Sequence, residues 1–169
     1  SRKDAGVPDF EVEEDGETFE ENSEKKARAI MEACGKITLS DDSGLEIDAM
    51  DKAPGVYSAR FMGEDTPYAE RFKAIFEKLE GVPEEKRTAR FVSCIAAAFP
   101  DGRRLTSLDT VEGIIGYEVK GENGFGYDPI FFVPEKGRYM AELSAEEKNA
   151  ISHRGKALGK MKELLKKEL

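Results

Sequence analysis

The tetrapeptide Asp41-Asp42-Ser43-Gly44 follows the β-prone triplet Ile37-Thr38-Leu39. Carboxylates delivered at the end of a strand sit where ligands commonly bind in open α/β sheets. One or two such oxygens are enough to hold a magnesium ion, whose remaining positions go to water and phosphate. The same residues also suit an Asx turn, and from this stretch alone the turn is the better reading. Glu13-Glu14-Asp15 likewise reads first as a solvated acidic loop. A basic grouping lies near the C-terminus, where Lys148, Ser152, His153 and Arg154 surround the start of an amphipathic segment. Free N–H groups and a partial positive charge at a helix start bind phosphate, and Lys or Arg there adds charge-assisted hydrogen bonds. Cations at that end oppose the helix dipole, so stability alone would place acids here, and the mismatch points to an anionic ligand. His153 taken singly is a satisfied surface or core histidine. The loop Gly121 to Asp128 offers aromatic faces at Phe125 and Tyr127, flexible backbone at Gly126 and a carboxylate at Asp128. Stacking a base on such a ring is worth about 1–3 kcal/mol. Closing the core is an equal use for the two rings, and the glycine spacing is neither a Walker loop nor a dinucleotide fingerprint. Lys25 and Lys26 read as solvated helix face.

One scaffold must position these groups. The chain has 169 residues, 39% of them hydrophobic, with 26 basic and 35 acidic side chains and a formal net charge of -9. That length and composition suit a single globular α/β domain with its own core. A negative field argues against a broad surface for duplex nucleic acid but permits a local pocket for one phosphorylated ligand. No run approaches the roughly 18 apolar residues of a membrane span. The opening Ser1-Arg2-Lys3-Asp4-Ala5-Gly6 has no apolar signal core behind it, so a soluble, cytoplasmic protein is expected. Cys34, Cys94 and the single His153 make neither a disulfide framework nor a zinc site, and both cysteines read as buried thiols.

Thr18 and Glu21 form a capping box before a helix from about Thr18 to Cys34, stopped by Gly35. Ile37-Thr38-Leu39 reads as a short buried strand ending in the acidic loop. Thr66 and Pro67 open a second helix striped by Phe72, Ile75, Phe76 and Leu79. Ala89 to Phe99 and Leu105 to Val119, joined by Pro100-Asp101-Gly102, make a long antiparallel hairpin. Pro129 to Val133 is another strand, Ser144 with Glu147 repeats the capping box, and a last amphipathic helix starts at Ser152. The expected architecture is a mixed central sheet, with local crossovers as well as the hairpin, flanked by helices.

Four stretches then recur in a fixed order: Glu14-Asp15-Gly16-Glu17-Thr18-Phe19-Glu20-Glu21-Asn22; Asp41 to Leu45 with Ala53-Pro54-Gly55-Val56-Tyr57-Ser58-Ala59-Arg60-Phe61; Gly124-Phe125-Gly126-Tyr127-Asp128-Pro129-Ile130-Phe131; and Ala141-Glu142-Leu143 through Ser152-His153-Arg154-Gly155-Lys156-Ala157. Together they resemble the inosine triphosphate pyrophosphatase (Ham1-like) family of house-cleaning nucleotide hydrolases, over the chain from about Val12 to its end. The resemblance implies the fold of that family, which is like an anticodon-binding domain, and a homodimer. It implies that Glu14 and Asp42 bind magnesium, that Asp42 is the base for the attacking water, and that Asp41 supports it. Ser43 would touch the substrate. Lys26, Lys148, Ser152, His153 and Arg154 match positions that hold phosphate or base, and Phe125, Gly126, Tyr127 and Asp128 match the nucleoside pocket. The implied reaction is attack of water on the α-phosphorus of inosine, deoxyinosine or xanthosine triphosphate, releasing pyrophosphate. One feature of the family is missing: no Ser/Thr-x-Asn-x-x-Lys motif occurs in the sequence. The expectation is therefore a single nucleotide pyrophosphatase domain without the N-terminal strand and phosphate loop, marginally stable and nearly inactive until about 30 upstream residues, one strand-loop-helix unit, are restored. Two other readings stand beside this one: a related pyrophosphatase acting on other modified nucleotides, and a nucleotide-binding module with impaired catalysis.

Overall fold

The Thr18 side chain accepts the Glu21 N–H at 3.1 Å and opens helix α1, Phe19–Cys34, which Gly35 ends in the left-handed conformation at φ 65. The reciprocal arm of the expected capping box goes elsewhere, since the Glu21 carboxylate accepts from Glu17 N at 2.7 Å. These and the following contacts come from a computed structural model that describes residues 3, 4, 6, 7 and 9–169. Ser1, Arg2 and Ala5 of the opening hexapeptide lie outside the described residues.

Five strands follow in chain order, β1 Thr38–Ile47, β2 Thr88–Ala98, β3 Arg104–Ile115, β4 Phe131–Val133 and β5 Arg138–Tyr139, and they lie side by side in that same order. Every neighbouring pair is antiparallel. The expected α/β architecture with its long hairpin is present as β2 and β3 flanked by helices; the anticipated crossovers do not appear among the described strands. Helix α2, Tyr68–Lys78, instead links two adjacent antiparallel strands. Its cap differs too: Pro67 takes the N-cap position, and the Thr66 hydroxyl donates to Met62 O at 2.7 Å. Helix α3, Ala145–Ile151, has the predicted Ser144–Glu147 capping box, and α4, His153–Glu168, starts at a Ser152 cap. No described helix is long and apolar enough to cross a membrane.

Alternation along the strands sorts the core into two layers. On one face Val92, Cys94, Ala96 and Ala98 of β2 meet Phe19 and Ala27 of α1. On the other, Ile95, Ala97 and Phe99 pack on Ala157 and Met161 of α4, while Leu45, Ile47 and Phe91 join Phe72 and Ile75 of α2.

Two strand boundaries differ from expectation. The acidic stretch is not a loop after a buried triplet. It lies inside β1, with Asp41 opposite Ile95 and Asp42 opposite Cys94. Ile37 and Leu39, read as buried, are 40% and 46% exposed, because β1 lies at the edge of the described sheet, with β2 as its one neighbouring strand among the described residues. At the far end β3 stops at Ile115, so Tyr117 and Val119 are exposed. The buried Arg87 accounts for that exit: it donates to the carbonyls of Ile115 and Gly116 at 2.9 and 2.7 Å, using up the acceptors a longer strand would need. Of the two thiols, Cys94 is buried but Cys34 is only partly so.

Candidate active site

Adjacent residues of a strand point to opposite faces, and this divides the candidate site into two halves around β1. Asp42 faces α1, where Lys26 projects from the second turn. The Lys26 ammonium lies 2.6 Å from Glu14 Oε1 and 3.2 Å from Asp42 Oδ1, so two carboxylates far apart in sequence converge on one cation. Burial would lower the Lys26 pKa, but the Glu14 and Asp42 carboxylates outweigh it and hold it above its ordinary value. Burial raises the Asp42 pKa in spite of Lys26. Its second oxygen, Oδ2, is buried and makes no hydrogen bond of ordinary geometry among the described residues, although the neighbouring Asn22 side chain favours the ionised form. Such an orphaned acceptor is costly unless something positive or a proton donor fills the gap.

Glu14 lies in a stretch with no regular structure, so its main chain needs partners from elsewhere. Asn22, buried in α1, supplies some: Gly16 N donates to its Oδ1 at 2.8 Å, and its amide returns a bond to Gly16 O at 3.4 Å. Arg60 Nη2 donates to Glu14 O at 2.8 Å. A cavity of about 1200 Å³ opens beside these residues, reached by Glu14, Lys26, Asp41, Tyr57 and Arg60.

Asp41 points the other way, and its carboxylate takes Arg154 Nη2 at 2.8 Å. The structure therefore does not bring the two aspartates together on one ion; it gives each a cation from a different helix. Around Arg154 a second, narrower cavity of about 170 Å³ is lined by Ser43, Tyr68, Phe91, Phe125, Tyr127 and His153, among others. His153 stacks on Phe91 with ring centroids 5.4 Å apart, and burial, helped by the neighbouring Arg154 and Lys148, pushes its pKa down to about 4. The imidazole is neutral near pH 7. Ser152 spends its hydroxyl on the cap, accepting Gly155 N at 3.2 Å. Ser43 Oγ donates to Ser93 Oγ at 3.1 Å across the strand pair.

The Gly121–Asp128 loop divides its residues by burial. Phe125 is 69% exposed, with the Lys148 ammonium 4.4 Å from its ring centroid. Asp128 is buried, accepts Phe125 N at 3.0 Å and pairs with Lys148, so it fixes both the loop and that lysine. Gly126 takes φ 63, a conformation a side chain would strain. Tyr127 is buried and donates to Ser58 O at 2.6 Å; burial pushes its pKa up to about 12, which keeps the phenol protonated.

Comparison with known proteins gives these residues a context. Residues 2–164 match the model of the Ham1 family. The chain belongs to the Ham1 family. It is 56% identical over 155 residues to a dITP/XTP pyrophosphatase of Desulforamulus reducens, covering 92% of this chain and 77% of the relative. A protein of the same description from Exiguobacterium sibiricum is 54% identical over 155 residues, covering 92% and 78%. Among solved structures, the Ham1 protein of Staphylococcus aureus superposes with a TM-score of 0.90 at 43% identity, covering 96% of this chain and 83% of that one.

Within this Ham1-family chain, several side chains at the site had no assigned role from sequence. Ser58 and Arg60 sit inside the quoted stretch Gly55 to Phe61, yet nothing local marks a serine whose Oγ accepts Leu45 N at 2.8 Å as a junction. Tyr68 opens α2 and reaches the narrow cavity, edge-on to Tyr127 with centroids 5.2 Å apart. Arg71 is 2% exposed and donates to the carbonyls of Ser58 and Gly63 at 3.2 and 2.9 Å. A charged residue at helical spacing from Tyr68 and Ile75 is the one local signal that could have marked it.

Proposed function

We propose that this chain hydrolyses non-canonical purine nucleoside triphosphates, of the deoxyinosine, inosine and xanthosine type, to the monophosphate and pyrophosphate. The observation that carries the reading is the likeness over nine-tenths of the chain to proteins described as dITP/XTP pyrophosphatases. The site geometry supports it. The narrow cavity between Phe125, Tyr68 and His153 is sized and lined for a flat base, and the wide acidic-and-basic cavity lies around the other side of β1. A nucleotide crossing that strand would set its base beside Arg154 and its phosphates between Lys148 on one side and Lys26 on the other.

The pair Glu14 and Asp42 suits a divalent cation. A lysine ammonium already lies between the carboxylates, and the buried Asp42 Oδ2 makes no hydrogen bond of ordinary geometry among the described residues. Magnesium takes one or two carboxylates and leaves the rest of its shell to water and phosphate, so the pair Glu14 and Asp42 would be enough to hold it. When bound, the ion supplies charge that stabilises the transferring phosphoryl group. Asp42 accepts the proton of the attacking water, its raised pKa making it a better acceptor than an exposed carboxylate. With a divalent cation held by Glu14 and Asp42, Lys26 would be available to neutralise phosphate. Arg154, anchored by Asp41, donates to the 6-oxo group of the base, where adenine's amino group would leave the donor unpaired. Lys148 neutralises phosphate from its seat on Asp128, and neutral His153 packs as the pocket wall. Asp128 and Tyr127 hold the loop, and Phe125 stacks on the base.

We place the enzyme in the cytoplasm, where nucleotide pools are held, and as a homodimer of single pyrophosphatase domains, the assembly the family resemblance implies. Pyrophosphate release from inosine triphosphate, measured with and without magnesium, tests the activity: metal-dependent release supports hydrolysis, whereas nucleotide binding without release would make the chain a binding module. Sedimentation at micromolar concentration tests the dimer.

A further inference from the structure

The turn Gly55–Arg60 touches both halves of the site. At Ser58 it accepts the Tyr127 hydroxyl at 2.6 Å and the buried Arg71 at 3.2 Å through its carbonyl, while the Ser58 Oγ accepts Leu45 N at 2.8 Å. These bonds fix the turn against the nucleoside pocket and the middle of β1. Two residues later Arg60, half-buried and held over the Tyr57 ring at 5.0 Å, donates to the Glu14 carbonyl at 2.8 Å. Other clamps on this stretch act beside the Glu14 main chain: Asn22 clasps Gly16, Lys25 pairs with Asp15, and Lys26 meets Glu14 at its carboxylate. Arg60 fixes the main chain of Glu14 itself, in a stretch that is neither strand nor helix. Groups that orient a ligating side chain govern metal affinity although they never touch the metal.

We propose that Arg60 is a positioning residue that sets Glu14 for the divalent cation and keeps it in register with the nucleoside pocket. The proposal rests on the metal reading above. Without the guanidinium the Glu14 carbonyl loses this hydrogen bond, and the bearing of its carboxylate on Asp42 is left to Lys26 and to the clamps on the residues that follow.

The probe is Mn2+ alone, titrated into the whole chain and followed by electron paramagnetic resonance, with circular dichroism confirming the fold of each variant. Arg60→Met is expected to weaken Mn2+ binding about ten-fold, and Arg60→Lys, which keeps a cation but loses the planar fork, about three-fold. At saturating metal the KM for dITP stays within about two-fold of the parent while kcat falls, because a positioning residue does not touch the substrate. Parent-like Mn2+ affinity in either folded variant, alongside a weakened Glu14→Gln, overturns the proposal and leaves the metal reading intact. So does a raised KM with unchanged Mn2+ affinity, which would make Arg60 a substrate contact. If Glu14→Gln also binds Mn2+ as the parent does, the metal reading itself falls and the proposal goes with it.

Discussion

Asp42 carries opposite demands in one side chain: its Oδ1 is paired with Lys26 while its buried Oδ2 makes no hydrogen bond of ordinary geometry among the described residues. Because burial disfavours the ionised form, replacing it with a neutral amide relieves the fold rather than harming it. Asp42→Asn should therefore melt at or above the parent temperature while turnover drops by more than ten-fold, a rise of more than about 1.4 kcal/mol in the barrier. An unfolded variant, or one keeping a tenth of the activity, contradicts the assigned role. Phe125 is the reverse case, an apolar ring left 69% exposed beside a lysine. Phe125→Ala should weaken nucleotide binding by about 1–3 kcal/mol in calorimetry and shift stability by less than about 0.5 kcal/mol. Residue types were what the sequence made legible, through ordered motifs. It did not disclose pairings across long separations, such as Arg60 with Glu14, because a main-chain acceptor leaves no trace in residue type.

Helix starts and strand alternation decide where those residues act. His153 is the first residue of α4 and lies against Phe91 of β2, where burial holds it neutral down to about pH 4. In the unfolded chain it titrates near 6.5, so the unfolded state binds more protons between those values. Stability contributed by His153 is complete above about pH 6.5 and is lost as pH falls toward 4. Melting temperatures measured across that window should fall less steeply in His153→Gln than in the parent; equal slopes would show that the imidazole does not titrate with folding. On the same helix Met161 is 1% exposed against Ile95, Phe99 and Ala157. Met161→Ala should cost about 2–5 kcal/mol in urea unfolding, with an unchanged m-value. The helices were legible because capping residues and 3.6-residue spacing act locally. Strand β1 was misjudged because its length comes from pairing with β2, fifty residues away, and its polar centre hid an edge strand beneath a turn-like composition.

At the scale of the whole molecule, one antiparallel sheet separates two helical layers and thereby two half-sites, with β1 as the partition. A net charge of -9 opposes a polyanionic substrate at long range, so binding relies on cations gathered at the site: Lys26 on one face, Lys148 and Arg154 on the other. We propose that one nucleotide spans that partition, its base held on one side and its phosphorus presented to Asp42 on the other. Phosphorus NMR of dITP hydrolysis in 18O-labelled water, with magnesium present, reads it most directly. Pyrophosphate and dIMP are the expected first products, with the label in the monophosphate and dATP left nearly untouched. Orthophosphate with dIDP, label in the pyrophosphate, or equal hydrolysis of dATP would contradict it.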